Sequence, residues 1–161
     1  MYGTGMRIIE VLRLRVKDIE FEQRAIIVRD GKGEKDRMVP IGRTALALLE
    51  NYVKGVRPFL VREPGEQALF LDDQGHRLPY HTLRRMVHAV AARSGTGDRV
   101  TPHSWRRSCT TELLRGGAGM YHLKELLGHE SLDTLQHYAK LTIHDLKKEH
   151  HRCHPREKDA Q

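Results

Sequence analysis

The chain has 161 residues, enough for one domain that buries about 70% of its unfolded surface. Lys and Arg number 28 against 21 Asp and Glu, and the resulting formal charge of +7 favours a polyanionic partner, nucleic acid before an anionic membrane. Two cysteines are too few for a disulfide framework, and no apolar run reaches the roughly 20 residues that cross a bilayer, so we expect a soluble protein of the cytoplasm.

The first part of the chain predicts a helix followed by a small antiparallel sheet. Thr4-Gly5 is typical of a helix start, and apolar spacing predicts a helix over residues 7–14. Its buried stripe is Ile8, Val11 and Leu12. Alternating segments predict strands over residues 18–21, 25–29 and 37–41. The connection over residues 30–36 is rich in glycine and charge, which predicts a solvent-facing hairpin.

Two longer helices are predicted in the middle of the chain, over residues 43–53 and 79–92. The apolar face of the first contains Ala45, Leu46, Leu48, Leu49 and Val53. The second directs inward Leu83, Met86, Val87 and Val90, and outward Arg84, Arg85 and His88. Glycines and prolines predict a loop over residues 54–75, with at most a short strand over 68–71. Residues 94–98 predict a flexible link.

The last part predicts a series of helices. Thr101-Pro102 is a strong start, because a capping hydroxyl precedes proline at the first helical position. Helical spacing predicts a cationic outer face of His103, Arg106, Arg107 and Thr110. The opposite, packed face contains Trp105, Cys109 and Leu113. Gly116-Gly117 ends this helix.

A second helix over residues 120–127 is predicted to end at Gly128, so that His129 follows a helix C-terminus. Its inward residues are Met120, Leu123, Leu126 and Leu127. Ser131 caps a predicted short helix that runs to Tyr138, and residues 142–149 predict the last helix.

Four stretches of the chain carry what cleavage of a phosphodiester requires. Arg7 and Arg106 supply guanidinium groups, which bind phosphate oxygens through paired donors. A phenol such as that of Tyr138, with a reference pKa of about 10, needs a nearby base or a positive site, which histidine provides. Lys32 lies on the hairpin and can protonate a departing oxygen.

Each of these residues also has a plainer interpretation. Arg7 and Lys32 are of a kind that usually faces solvent, and a basic helix face is commonly a solvent or DNA-backbone face. His129 could be a cation that interacts with a helix dipole, and Tyr138 a packing residue. Their joint occurrence in one order, with matching spacings, favours a functional site.

Together these stretches resemble the tyrosine recombinases of the phage integrase type. The resemblance runs from Tyr2 through Tyr138. The matching motifs are Thr4-Gly5-Met6-Arg7, Gly31-Lys32-Gly33, the His-x-x-Arg pair of His103 and Arg106, Leu127-Gly128-His129, and Tyr138 nine residues later. The first box is particularly similar to that of integron integrases, although their extra insertion has no counterpart here. The subgroup therefore stays open between these and the Xer recombinases.

The resemblance implies an α+β, mainly helical catalytic-domain fold with a three-stranded antiparallel sheet near the N-terminus. Residues 1–149 would form this catalytic domain, without its first helix and the N-terminal core-binding domain, and residues 150–161 a polar tail. The implied partner is double-stranded DNA, with four protomers of the whole protein acting together. Such a protein would be bacterial or phage-encoded, part of a mobile element, and associated with the nucleoid.

The resemblance also implies the role of each site residue. Tyr138 would attack the phosphorus and form a 3′-phosphotyrosine, while Arg7 and Arg106 hold the non-bridging oxygens. His103 would exchange the tyrosine proton, His129 would hydrogen-bond the phosphate, and Lys32 would protonate the leaving oxygen. No metal, ATP or other cofactor is implied. Further DNA contacts are expected from Lys35, Arg84, Arg85 and Arg107.

Two alternative functions stay open at this point. A type IB topoisomerase shares the tyrosine chemistry but rejoins the same strand, and a DNA-binding module would keep the basic face without turnover. A zinc site in the tail is a separate possibility, and the sequence does not favour it. Its residues, His150, His151, Cys153 and His154, are of the right type but too close together to surround one tetrahedral ion readily.

Overall fold

A computed structural model describes residues 1–29, 36–95 and 100–128. The described elements, in order, are α1 (Ile8–Arg13), β1 (Ile19–Glu20), β2 (Ala25–Val28), β3 (Arg37–Pro40), α2 (Arg43–Asn51), α3 (Arg57–Leu60), α4 (Tyr80–Arg93), α5 (Pro102–Arg115) and α6 (Met120–Leu127). A 3-10 turn (Val16–Asp18) precedes β1, and a π-helix (Tyr52–Val56) joins α2 to α3. The predicted fold class, mainly helical with one small sheet, is confirmed.

The sheet has the order β1-β2-β3, and both pairings are antiparallel. Ile26 lies at its centre, opposite Ile19 on one side and Val39 on the other. β2 consists of Ala-Ile-Ile-Val, and three of its four side chains are buried, as suits a central strand of β-branched residues. All three strands are shorter than predicted, and β1 loses its first residue because Asp18 ends the 3-10 turn.

One hydrophobic core joins the sheet to the helices around it. It contains Met6, Leu14, Ile19, Ile26, Val28, Val39, Ile41, Leu49 and Leu69. A second cluster forms around Leu123 and Leu127 of α6, with Leu113 and Leu114 of α5 packed against it. Leu126 of α6 packs against both clusters, so the two clusters adjoin each other at α6.

The structure corrects the prediction for residues 54–60, which form the end of the π-helix and α3 rather than a loop. Gly55 lies in the π-helix, and Pro58 lies in the first turn of α3, directly after the π-helix. Both helix breakers are thus accommodated, and the chain continues as helix. Residues 68–71 form only isolated bridges, Arg15 with Ala68 and Leu71 with Arg77.

Two predicted apolar faces are narrower than expected. In α2, Leu49 is buried, whereas Ala45 and Leu48 are exposed. In α4, Val87 and Ala91 are buried, whereas Met86 and Val90 are 53% and 51% exposed. Helical periodicity gives the direction of an apolar face but not the width that the neighbouring elements cover. The start of α5 at Thr101 is confirmed, since its hydroxyl accepts a hydrogen bond from the backbone N–H of Ser104.

Asp18 fastens the turn before β1. Its side chain is 3% exposed and accepts hydrogen bonds from the backbone and side chain of Arg15 and from Nε of Arg29. Burial by itself would raise the pKa of Asp18, but the hydrogen bonds from Arg15 and Arg29 together outweigh it, so the pKa lies below its usual value. The carboxylate therefore joins the α1–β1 connection to the end of β2.

Within the described residues, no helix is long and apolar enough to span a membrane.

Replacement of the Asp18 carboxyl group tests the role of its hydrogen bonds to Arg15 and Arg29. Asp18→Asn should lower the free energy of unfolding by about 2 kcal/mol at pH 7, because a buried acceptor of charged donors is lost. Since the folded-state pKa is lowered, this contribution is present above the unfolded pKa of about 4 and is lost as the pH falls through the folded-state value. Urea unfolding from pH 7 to pH 3 should show the difference shrinking on acidification.

The matched control is Asp36→Asn, because Asp36 is half exposed and pairs only with Arg29 among the salt bridges of the described residues. We expect it to cost less than about 1 kcal/mol. A cost for Asp18→Asn no larger than this, or one that does not change with pH, would contradict the role given to Asp18.

Candidate functional site

Three arginines from three different elements meet at the end of α6. The carbonyl oxygen of Leu126 accepts a hydrogen bond from Nε of Arg37 at 3.1 Å. The next carbonyl, of Leu127, accepts from Nη2 of Arg106 at 2.7 Å, and that of Gly128 accepts from Nη2 of Arg7 at 2.9 Å. The last carbonyls of a helix lack intrahelical partners and carry partial negative charge, so guanidinium groups satisfy and neutralise them together.

Arg106 is the innermost of the three. Its residue is only 6% exposed, and its Nη1 also donates to the carbonyl of Gly5, so one guanidinium joins the Thr-Gly-x-Arg segment to α6. Bridging two carbonyls in this way requires the planar, forked donors of arginine. A buried charge is tolerated here because hydrogen-bond acceptors surround it.

The prediction of an exposed cationic face on α5 is wrong for two of its four residues. Arg106 and Thr110 are buried, and the Thr110 hydroxyl donates to the backbone carbonyl of Arg106. His103 and Arg107 are exposed, as predicted. Helical spacing places polar residues on one face, but whether another segment covers that face depends on tertiary contacts that spacing does not contain.

Glycine at position 5 permits the close approach between the first motif and α6. Gly5 has a φ of +63°, and a Cβ atom built on it would lie 2.6 Å from Cδ2 of the buried Leu127. An L-residue would therefore be strained in its backbone and would collide with α6. The Thr-Gly pair thus does more than start a helix, because its glycine is the surface on which Leu127 packs.

Arg7 lies on the open side of the cluster. It is the N-cap residue of α1 rather than part of its first turn, and its side chain is 42% exposed. Its Nη1 and its backbone N–H both donate to the carboxylate of Glu10, at 2.9 and 2.7 Å. The guanidinium is therefore held by one carboxylate and one carbonyl while part of it faces solvent.

Glu10 and Arg37 are site residues that the sequence interpretation missed. The Glu10 side chain is 10% exposed and accepts hydrogen bonds from Arg7 and from Nη2 of Arg37, the latter at 2.9 Å from both oxygens. An acidic residue three positions after a helix cap is the signal of a capping box, and it could have drawn attention to Glu10. Arg37 carries no such signal, because an arginine at the start of a strand is usually solvated.

Cys109 lies behind the site, near Gly5, and is buried. Burial raises the pKa of its thiol, so the group stays protonated at neutral pH. This agrees with the prediction that Cys109 packs.

The arrangement is suited to binding an anion. Arg7, Arg37 and Arg106 bring three positive charges to one helix end, and the single carboxylate of Glu10 accepts hydrogen bonds from Arg7 and Arg37. The excess of positive charge and the planar donors match a phosphate group. Since carbonyls and Glu10 hold the guanidinium groups, their directions are set without any ligand.

The remaining predicted site residues are not part of this described cluster. Arg84 and Arg85 are exposed on α4. The other predicted residues lie outside the described residues. They are Lys32, Lys35, His129, Tyr138 and the His/Cys residues at 150–154.

Comparison with known proteins gives a consistent result. The model of the phage integrase family matches residues 1–144. The tyrosine recombinase XerD of Mycobacterium tuberculosis (strain CDC 1551 / Oshkosh) is 40% identical over 157 residues, which are 97% of this chain and 50% of that protein. Tyrosine recombinase XerC of Bifidobacterium longum (strain DJO10A) is 37% identical over an alignment that covers 97% of this chain and 45% of that protein. The chain thus spans about half the length of these curated relatives.

Solved structures have the same fold. The crystal structure of XerA recombinase superposes with a TM-score of 0.78 and 29% identity, covering 96% of this chain and 55% of that one. The XerH site-specific recombinase, bound to its difH substrate before cleavage, gives a TM-score of 0.77 and 27% identity over 93% of this chain and 43% of that one.

The bridge made by Arg106 can be tested through stability. Arg106→Lys should lower the free energy of unfolding by about 2 kcal/mol, since an ammonium cannot satisfy the carbonyls of Gly5 and Leu127 in the same geometry. Arg85→Lys, at an exposed position of α4, serves as the control and should change stability by less than about 0.5 kcal/mol. Equal urea midpoints for the two variants would show that the bridge contributes nothing.

Proposed function

We propose a function for this chain on the basis of its family, since the chain belongs to the phage integrase family. In this proposal it is the catalytic domain of a site-specific DNA recombinase, which cuts and rejoins strands through a 3′-phosphotyrosine. Residues 1–149 form the catalytic domain and residues 150–161 a polar tail. The XerD, XerC and XerA relatives, all recombinases by name, and the XerH site-specific recombinase bound to its difH substrate support this assignment.

One observation carries the proposal. Arg7 and Arg106, which come from motifs about a hundred positions apart, donate to the adjacent carbonyls of Gly128 and Leu127. Their guanidinium groups are therefore neighbours at one helix end, as is required of two groups that bind the same phosphate. If the scissile phosphate binds here, its non-bridging oxygens gain negative charge in the transition state beside donors that are already oriented.

In the proposed reaction, every bond that forms replaces one that breaks, and neither a metal nor ATP takes part. The hydroxyl oxygen of Tyr138 forms a bond to phosphorus as the bond from phosphorus to the 5′ oxygen breaks. His103 takes the tyrosine proton, His129 hydrogen-bonds the phosphate, and Lys32 gives a proton to the leaving 5′ oxygen. Attack by the 5′ hydroxyl of another strand then reverses the same steps. The energy of the broken bond is kept in the phosphotyrosine.

The whole protein is proposed to act in the cytoplasm on double-stranded DNA, as a tetramer bound to paired sites. Lys35, Arg84, Arg85 and Arg107 would contact the duplex. The last three belong to the described residues and are exposed on α4 and α5, where phosphates can reach them.

A nicked duplex that traps covalent intermediates tests the proposal. The intact protein should form an SDS-resistant adduct with it, which Tyr138→Phe abolishes and Lys32→Ala slows by about a hundredfold or more, because general acid assistance is lost. The control is Tyr121→Phe, since Tyr121 is 65% exposed on α6 and has no assigned role. An adduct that survives Tyr138→Phe, or DNA binding with no adduct from the intact protein, would refute the proposal.

A further inference from the structure

We propose that Arg37 is a positioning residue of the cleavage step, one that holds the Leu127-Gly128 turn and Arg7 in fixed positions relative to strand β3. This inference rests on the proposed function, because it assigns Arg37 a part in that reaction. It concerns a side chain that none of the motifs above contains.

The first support is the way in which Arg37 is fixed. Its side chain is 11% exposed, its Nε donates to the carbonyl of Leu126, and its Nη2 donates to both oxygens of Glu10. Two separate nitrogens of one planar group are therefore used by two different helices, α6 and α1. A lysine has all its donors on a single nitrogen and cannot reproduce both contacts in this geometry.

The second support is the contact between Arg37 and Gly128. A Cβ atom built on Gly128 would lie 2.8 Å from Nη1 and 2.9 Å from Cζ of Arg37, so the guanidinium rests directly against the backbone of this turn. Gly128 itself is left-handed, with a φ of +63°. The turn leads to His129, the next residue in the sequence, so Arg37 supports the backbone from which that histidine follows.

The third support is the carboxylate that Arg37 shares with Arg7. Glu10 accepts from both guanidinium groups, and each of these also donates to a carbonyl at the end of α6. Removal of Arg37 would leave Glu10 with one of its two arginine partners and the Leu126 carbonyl without this donor. Glu10, the acceptor of Arg7, would then be held less firmly, although Arg7 itself is unchanged.

The consequence is a change in rate rather than in affinity. Arg37 is mostly buried and touches the supports of the phosphate clamp, so its loss should misplace reacting groups without removing a contact to DNA. Misplacement by about 1 Å can cost a hundredfold in rate. Lys32, the proposed proton donor, lies five residues before Arg37 in the sequence, between β2 and β3.

The test compares Arg37→Gln and Arg37→Lys with Arg43→Gln, which removes an equal charge from an exposed position three residues after β3. Adduct formation is measured at saturating nicked duplex, and the Kd for the same duplex is measured separately. We expect the rate to fall about a hundredfold for Arg37→Gln and at least tenfold for Arg37→Lys, with Kd changed by less than about twofold. Arg43→Gln should match the unchanged protein in its saturating rate.

A second readout does not depend on activity. Hydrogen exchange of the amides at residues 124–128, in the absence of DNA, should be faster in both Arg37 variants than in Arg43→Gln, while amides at the centre of α5 exchange equally in all three. This pattern distinguishes local loosening of the turn from a general loss of stability.

Each outcome decides a different point. A normal saturating rate in the Arg37 variants overturns the inference, and a weaker Kd with a normal rate would make Arg37 a DNA contact instead. Slow cleavage with unchanged exchange at residues 124–128 would also overturn it, because Arg37 would then affect the rate without holding the turn. If the unchanged protein forms no adduct, the proposed function fails, and the exchange measurement still decides whether Arg37 holds the turn.

Discussion

The end of α6 is the point on which the structure of the site depends. A helix C-terminus presents carbonyls that no intrahelical N–H can reach, and here three successive carbonyls are each satisfied by a different arginine. The same hydrogen bonds that complete the helix set the direction of the guanidinium groups. A cationic site that is fixed by backbone carbonyls needs little rearrangement when a phosphate arrives, which is the condition for effective electrostatic catalysis.

This arrangement explains why two glycines lie in the motifs. The guanidinium of Arg106 can bridge Gly5 and Leu127 only if the N-terminal segment approaches α6 closely, and Arg37 can reach the turn only if Gly128 has no side chain. Both glycines have a positive φ, where other residues would be strained. Residues 4–7 and residues 127–128 are therefore two sides of one packed contact, and each of the two motifs contains a glycine with a structural role.

Much of the fold follows from local signals in the sequence. The central strand β2, the cap at Thr101 and the helix stop at Gly128 each have a local physical cause, and each lies where the sequence predicts it. Residues 54–60 do not follow, because Gly55 and Pro58 are read as breakers unless the surrounding helices are known. The exposure of Met86 and Val90 likewise depends on what packs beside α4.

The site was predictable in its residue types but not in its architecture. Arg7 and Arg106 are recognisable from motifs, whereas the burial of Arg106 depends on contacts more than a hundred residues apart in the chain. Glu10 and Arg37 act through other residues, and an acid or an arginine in such a role has the same local pattern as a solvated one. Long-range hydrogen bonds thus identify supporting residues that spacing alone does not.

A crystal structure of the intact protein with an uncleaved duplex, in which Tyr138→Phe prevents turnover, would test whether the two arginines form one phosphate clamp. The expected result is a single scissile phosphate with non-bridging oxygens about 3 Å from nitrogen atoms of both Arg7 and Arg106. A scissile phosphate that contacts only one of them, or that binds away from the end of α6, would contradict this account of the site.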